Sequence, residues 1–146
     1  MIILCIFQMF SWKLYLDKSK KYENELKRYK SFYRLEGLWR KVDNGEVDIH
    51  SFLQEHNINS IAIYGMGKYG VLLYKELKKS DIHVKYAIDR KYDQVNIQLP
   101  VISPEDDFPT VDLVIVSVVY EYNAIAQKLR KKLDCPIISL EQILLN

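Results

Sequence analysis

A ten-residue segment, IAIYGMGKYG (residues 61–70), restricts the possible folds of this chain more than any other. A short apolar run enters three glycines with the spacing GxGxxG, and an amphipathic stretch follows them. In this pattern Gly65 permits a tight turn, Gly67 leaves the backbone open to close approach, and Gly70 lets a helix pack closely on a sheet. A strand, a glycine turn and a helix in this order predict the first half of a βαβ unit.

The rest of the C-terminal part continues the alternation of apolar strands and amphipathic helices. A helix is expected from Glu121 to Lys132. This pattern predicts an α/β, Rossmann-like fold, in which a parallel five-stranded sheet of order 3-2-1-4-5 is flanked by helices. The predicted strands are SIAIY (60–64), VKYAID (84–89), LPVIS (99–103), VDLVIVSVV (111–119) and PIISL (136–140).

The residues before the first strand have a different character, so we predict two regions, 1–59 and 60–146. A helix with apolar stripes is expected from Lys18 to Val42, ended by Asn44-Gly45. A second, short helix is expected from Asp48 to His56, with Asp48 as its N-cap. The sheet domain therefore carries an N-terminal helical extension.

Charge is distributed unevenly between these regions. The net charge of the 146 residues is +2, but residues 13–41 contain ten Lys or Arg and only four Asp or Glu. From Ile61 onward, eleven basic residues balance eleven acidic ones. A nucleic-acid-binding domain is usually strongly basic as a whole, so we expect no nucleic-acid partner.

Residues 1–16, MIILCIFQMFSWKLYL, are almost entirely apolar and leave three interpretations open. The run could be a helix or strand buried in the protein or against a partner. It could be an anchor at a membrane surface, supported by the basic residues that follow. It could also be sequence upstream of a true start at Met9.

Cysteine and histidine usage excludes several classes of protein. The two cysteines, Cys5 and Cys135, are too few for a disulfide scaffold, and they fit a reducing cytosol. Together with three scattered histidines they match no familiar zinc spacing, so we expect no metal site.

The glycine turn and the strand ends around it form the candidate site. Exposed N–H groups and the positive end of the following helix favour an anion such as a phosphate. Asp89 closes the second strand at the position where a carboxylate bonds ribose hydroxyls, and Arg90 follows it. The alternative is a turn kept only for packing. The candidate ligand-binding residues are Gly65, Met66, Gly67, Lys68, Tyr69, Gly70, Asp89, Arg90 and Ser117.

The sequence from about Leu38 to Leu145 resembles the small Rossmann-like domains found in bacterial surface-polysaccharide gene clusters. The residues that carry this resemblance are IAIYGMGKYG (61–70), VKYAID (84–89), PVISPED (100–106) and VDLVIVSV with Tyr120. The resemblance implies a role in capsule or exopolysaccharide biosynthesis and a nucleotide-type ligand, either NAD(P) or a nucleotide-sugar.

Catalytic residues are not evident. Sugar epimerases use a Tyr-x-x-x-Lys pair, and Tyr74 and Lys78 match its spacing, but they follow the glycine turn, where that pair is not found. No lysine follows Tyr120 at the required distance, and an added substrate domain is absent from the pattern. We therefore expect a binding module without catalysis of its own.

Two alternative functions and two kinds of partner remain compatible with the sequence. The chain could be a subunit of an NAD(P)-linked sugar oxidoreductase or epimerase that works only with a partner. It could instead be a structural adaptor with a vestigial site. The helix over residues 18–42 is expected to form a homodimer or to dock to a glycosyltransferase. The expected location is the cytoplasm, with peripheral contact to the inner membrane face as one interpretation of residues 1–16.

Overall fold

The structure, a computed structural model, describes residues 2–146. Residues Gly37–Asn146 form one compact unit, and the residues before Gly37 form another. The helices are α1 (Ile2–Asp43), α2 (Ile49–Glu55), α3 (Lys68–Leu77), α4 (Tyr122–Leu129) and α5 (Leu140–Leu144), with a 3-10 turn at Val119–Glu121. The strands are β1 (Ser60–Tyr64), β2 (His83–Ile88), β3 (Val101–Ile102), β4 (Leu113–Val116) and β5 (Ile137–Ser139).

The five strands form one all-parallel sheet in the order β3-β2-β1-β4-β5, which confirms the predicted fold class and strand order. β1 is central, and the chain leaves it toward β2 on one side and returns later to β4 on the other. In open sheets of this kind, a crevice forms at the carboxyl ends of the strands where the strand order reverses. Here that point lies between β1 and β4.

Both faces of the sheet are buried. Ala62 and Tyr64 of β1 belong to a cluster with Ile125 and Leu129 of α4. Ile61 and Ile63 alternate with them along the strand and are fully buried too. The near-continuous apolar runs of β1 and β4 follow from this two-sided burial.

A carboxylate connects the starts of the two central strands. Asp112 Oδ2 accepts the N–H groups of Asn59 at 3.0 Å and Ser60 at 2.8 Å, and the Ser60 hydroxyl at 3.0 Å. The N–H donors of Asn59 and Ser60 lower the pKa of Asp112. The contact fixes β1 beside β4 at the end of the sheet opposite the crevice.

The first helix is longer than the sequence pattern predicted. It begins at Ile2 instead of Lys18, and it ends at Asp43 before Gly45, which has a φ of +73°. Residue 1 lies outside the described residues. The large apolar side chains from Ile3 to Leu16 are 41–84% exposed on this helix. None of the described helices combines the length and apolar content needed to cross a membrane.

Three strands, β3, β4 and β5, are shorter than predicted because the chain turns earlier; β5 ends at Ser139, which is already the N-cap of α5. β4 ends at Val116, since Ser117 and Val118 already pack against the glycine turn. β3 has only two residues and lies between Pro100 and Pro104, which lack the N–H that a ladder requires. The second helix begins after Asp48, whose side chain accepts the Ser51 N–H as the predicted N-cap.

Candidate functional site

The glycine turn joins β1 to α3, and its first glycine is required by the backbone. Gly65 has a φ of +91°, a region that side-chain-bearing residues rarely adopt. A Cβ at this position would overlap the side chain of Val118. The Gly65 N–H donates to Ile88 O at 2.8 Å, which ties the turn to the end of β2.

The third glycine is required by packing. A Cβ on Gly70 would overlap the carbonyl oxygen of Gly65. The buried Ser117 hydroxyl donates to that same oxygen at 2.7 Å. Ser117 therefore stabilises the turn through Gly65 O, the same atom that Gly70 approaches when α3 packs on the sheet.

The second glycine has neither constraint. Gly67 is the N-cap of α3, with an ordinary extended conformation (φ −72°, ψ −165°). A Cβ added here would meet nothing within 4 Å. The protein's own packing thus explains Gly65 and Gly70, while Gly67 faces open space at the N-terminus of a ten-residue helix.

Asp89 lies against this turn. Its Oδ2 accepts the Met66 N–H at 2.6 Å, and its Oδ1 accepts the Lys91 N–H at 2.8 Å. The Met66 N–H is consequently occupied by a side chain of the protein. Each carboxylate oxygen has two lone pairs, so both oxygens of Asp89 retain capacity for a further donor.

Lys68 and Tyr69 have different surroundings, although they are adjacent in the turn. The Tyr69 ring is buried, with its centroid 6.2 Å from that of Trp39. The Lys68 ammonium lies 5.4 Å from the centre of the Tyr69 ring. Of the two, Tyr69 is a core residue and Lys68 is exposed at the start of α3.

Beside the turn, a cavity of about 330 Å³ opens at the carboxyl ends of β1 and β2. This volume lies at the lower end of the range of ligand pockets, ~300–1,000 Å³. Four cationic and two anionic side chains line it, so its charge balance is positive. The lining residues are Tyr64, Arg90, Pro104, Glu105, Glu121, Ala124, Ile125, Lys128, Leu129, Lys131 and Lys132.

The charged groups nearest the sheet are paired. Arg90 forms an ion pair with Glu121, which follows β4 in the chain. Partial burial lowers the pKa of Arg90, but Glu121, together with Tyr64 and Tyr120, outweighs this effect and the net pKa is raised. Burial also raises the pKa of Tyr64, so its phenol is protonated at neutral pH and can donate a hydrogen bond.

Lys132 organises the outer wall of this cavity. Its ammonium donates to the carbonyl oxygens of Pro104, Glu105 and Asp106 at 3.2, 2.8 and 3.1 Å. The ring of Phe108 lies below the same ammonium, 5.3 Å away. One side chain thereby holds the loop between β3 and β4 beside the residues that follow α4.

Tyr74 and Lys78, which match the epimerase spacing, both contact the loop between β2 and β3. The Tyr74 hydroxyl donates to Gln98 O at 2.8 Å, and the Lys78 ammonium lies 3.4 Å from Gln98 Oε1. These contacts give the pair a structural role in fastening this loop to α3.

The structure brings most of the predicted residues together. Gly65, Gly67, Gly70, Asp89 and Ser117 meet at the turn, and Arg90 lies at the neighbouring cavity. Sequence reasoning missed Tyr64, Glu121 and the three lysines in and just after α4, Lys128, Lys131 and Lys132. Tyr64 directly precedes the glycine turn, and Glu121 follows β4. Their positions at the carboxyl ends of strands are the signal that could have identified them.

No family model matches this chain, and comparisons with curated proteins and with solved structures give no match either.

Proposed function

We propose that the protein is a Rossmann-like nucleotide-binding module that serves bacterial capsule or exopolysaccharide biosynthesis and has no catalysis of its own. The ligand is a dinucleotide such as NAD(P) or a nucleotide-sugar. The polysaccharide setting is carried over from the sequence resemblance, and the ligand class is argued from the site.

The open space at Gly67 is the observation that carries this proposal. Gly65 and Gly70 are explained without a ligand, because other residues would overlap a side chain there. At Gly67 neither the backbone conformation nor a neighbouring atom requires glycine. A diphosphate that approaches the N-terminus of α3 would require it, since any side chain would stand between the phosphates and the N–H groups.

The remaining parts of a nucleotide have partners close by. The free lone pairs of Asp89 suit ribose hydroxyls, and its charge opposes a 2′-phosphate, which favours NAD over NADP. The cavity beside Tyr64 and Arg90 offers an apolar floor and a phenol donor for a base or sugar. A bound nucleotide would supply its own phosphates and ribose; the chain supplies the turn, the carboxylate and the cavity.

A cytoplasmic location belongs to the same proposal, because nucleotides and nucleotide-sugars are cytoplasmic metabolites and both cysteines are free. The partner in this setting is a glycosyltransferase, docked through the helix over residues 18–42; the excess of basic residues on that helix disfavours a second copy.

Thermal unfolding with a panel of NAD, NADP, UDP-sugars and other nucleotides tests the proposal. A ligand at 100 times its Kd stabilises the folded state by ~2.7 kcal/mol, or roughly 5–10 °C in Tm for a chain of this size. We expect such a shift with one ligand class, and we expect Gly67→Val to abolish it while the Tm without ligand falls by only about 4 °C, because valine is a poorer N-cap than glycine.

The matched control is Gly37→Val, the same change at an exposed glycine of α1 whose Cβ also meets nothing. It should leave the ligand-dependent shift intact. Equal shifts in wild type and Gly67→Val would show that the ligand binds elsewhere, and the proposed site would be wrong.

A structural adaptor is the second candidate, and the contact between Asp89 and Met66 favours it. The carboxylate occupies a donor of the turn and places negative charge where a phosphate would approach. The adaptor predicts no shift with any nucleotide in the same panel, in wild type as in the variant.

A further inference from the structure

The first turns of α1 expose apolar side chains on every side. Ile3, Leu4 and Met9 are 84%, 68% and 73% exposed, although they point in different directions around the helix. Lys13 is the one charged residue between Ile2 and Leu16. A helix that is apolar all round belongs in an apolar medium, whereas a helix that docks on one protein surface needs a single apolar stripe.

The residues that follow change character in a fixed order along the helix axis. Aliphatic and phenylalanine side chains predominate up to Phe10; Trp12 and Tyr15, whose ring centroids are 6.1 Å apart, come next and are interspersed with Leu14 and Leu16. After the single Lys13, a cluster of basic residues follows at Lys18, Lys20 and Lys21. This order matches the layers of a bilayer with an anionic surface. Apolar side chains lie in the hydrocarbon, aromatic side chains at the interface, and cationic side chains at the headgroups.

Charge distinguishes a bilayer from a second copy of the chain. Ten basic and four acidic residues lie between Lys13 and Lys41. Two copies packed side by side through this helix would bring like charges together, which opposes association. An anionic lipid surface attracts the same charges, by ~1 kcal/mol for each basic residue near it.

We propose that residues 2–16 of α1 insert into the surface of an anionic bilayer, with Trp12 and Tyr15 at the interface and the lysines from Lys18 to Lys21 against the lipid headgroups. The occupant of this exposed apolar segment is lipid. The inference rests on the proposed cytoplasmic location, and it holds whether or not the glycine turn binds a nucleotide.

Trp12 is a built-in reporter for the test. It is exposed, while the second tryptophan, Trp39, is 6% exposed. The full-length protein is mixed with phosphatidylcholine vesicles, with and without phosphatidylglycerol, and tryptophan emission and co-sedimentation are measured. We expect a shift of emission to shorter wavelength and sedimentation only with phosphatidylglycerol, both weakened by salt. Trp12→Phe should remove the emission shift without preventing sedimentation.

Two sets of variants separate charge from insertion. Replacement of Lys18, Lys20 and Lys21 by Gln should weaken vesicle binding roughly fivefold for each lysine removed. The matched control replaces Lys75, Lys79 and Lys131 of the other unit by Gln and should change binding less than twofold. Phe7→Ser with Phe10→Ser should abolish the emission shift and leave Tm unchanged, which shows that the sheet domain is still folded.

Three results would overturn the proposal. Equal binding to neutral and anionic vesicles would remove the role of the lysines. If both sets of lysine substitutions weakened vesicle binding equally, binding would depend on the net charge of the protein and not on the position of Lys18, Lys20 and Lys21. A stable dimer in light scattering without lipid, with Trp12 emission already at short wavelength, would assign the apolar segment to a second copy.

Discussion

At the scale of single residues, the three glycines of the turn are under different physical constraints. Glycine is required at position 65 by the positive φ and at position 70 by the nearby carbonyl of Gly65. At position 67 no atom of the protein lies close enough to exclude a side chain. Alanine substitutions can therefore separate packing from ligand binding at neighbouring positions in one turn.

We expect Gly70→Ala to lower the free energy of unfolding by about 3 kcal/mol, because the new methyl group must displace backbone. Gly67→Ala should lower it by less than about 1 kcal/mol, since alanine fits the folded conformation and restricts the unfolded chain but is a poorer N-cap than glycine. Urea unfolding of both variants beside wild type measures the difference. Equal losses in the two variants would show that Gly67 is also a packing residue.

Asp112 gives a prediction with a defined pH dependence. Hydrogen bonds to the carboxylate lower its pKa in the folded state, so its stabilisation is present above the ordinary aspartate value of about 3.9. This stabilisation is lost as the pH falls through the lower folded-state pKa. Asp112→Asn keeps an acceptor but removes the charge, and it should cost about 0.5–1 kcal/mol at pH 7 because the site is exposed.

The measurement is urea unfolding of wild type and Asp112→Asn from pH 7 down to pH 3. The difference in free energy of unfolding between the two proteins should decrease below pH 4. A difference that stays constant over this range would mean that the carboxylate charge contributes nothing.

At the scale of elements, Lys132 determines how firmly the loop between β3 and β4 is held. Lys132→Gln should speed amide hydrogen exchange in residues 104–108 and cost about 1 kcal/mol, since three charge-assisted hydrogen bonds at an exposed ammonium are lost. Lys131→Gln, one residue away, removes the same charge without these contacts and is the control. Unchanged exchange in Lys132→Gln would mean that the loop is held by Phe108 and its neighbours instead.

The existence, type and order of the strands could be predicted from sequence because each is a short apolar run between turn residues. Their ends could not, because tertiary contacts set them. β4 stops before Ser117 since that hydroxyl bonds Gly65 O, more than fifty residues earlier in the chain. The sequence left the helical state of residues 2–16 open, because an apolar run without periodicity does not distinguish helix from strand.

At the scale of the whole molecule, the candidate site combines one contiguous segment, the glycine turn, with a cavity built from residues that are distant in sequence. The turn from Gly65 to Gly70 is contiguous in sequence, so its glycine spacing predicts it. The cavity is lined by residues of β1, the residues just after β2, the loop after β3 and one side of α4, and no local pattern unites these residues. Asp89 stands between the two cases: its position was predictable, but its bond to Met66 depends on how β2 pairs with β1.

The nucleotide and lipid proposals involve different units of the chain and can fail separately. The glycine turn and the cavity lie in residues 37–146, and the apolar segment lies in residues 2–16. A shift in Tm with a nucleotide that does not depend on vesicles, together with vesicle binding that survives Gly67→Val, would support both.

The open space at Gly67 also determines how this turn would drift over generations. Purifying selection for folding alone would preserve Gly65 and Gly70 and leave the codon at Gly67 free to change, because a side chain there displaces no atom of the protein. If the turn binds a nucleotide as proposed, a lineage that lost this ligand would lose the middle glycine before the other two. The residue at this position among descendants would then distinguish lineages that kept the ligand from those that lost it.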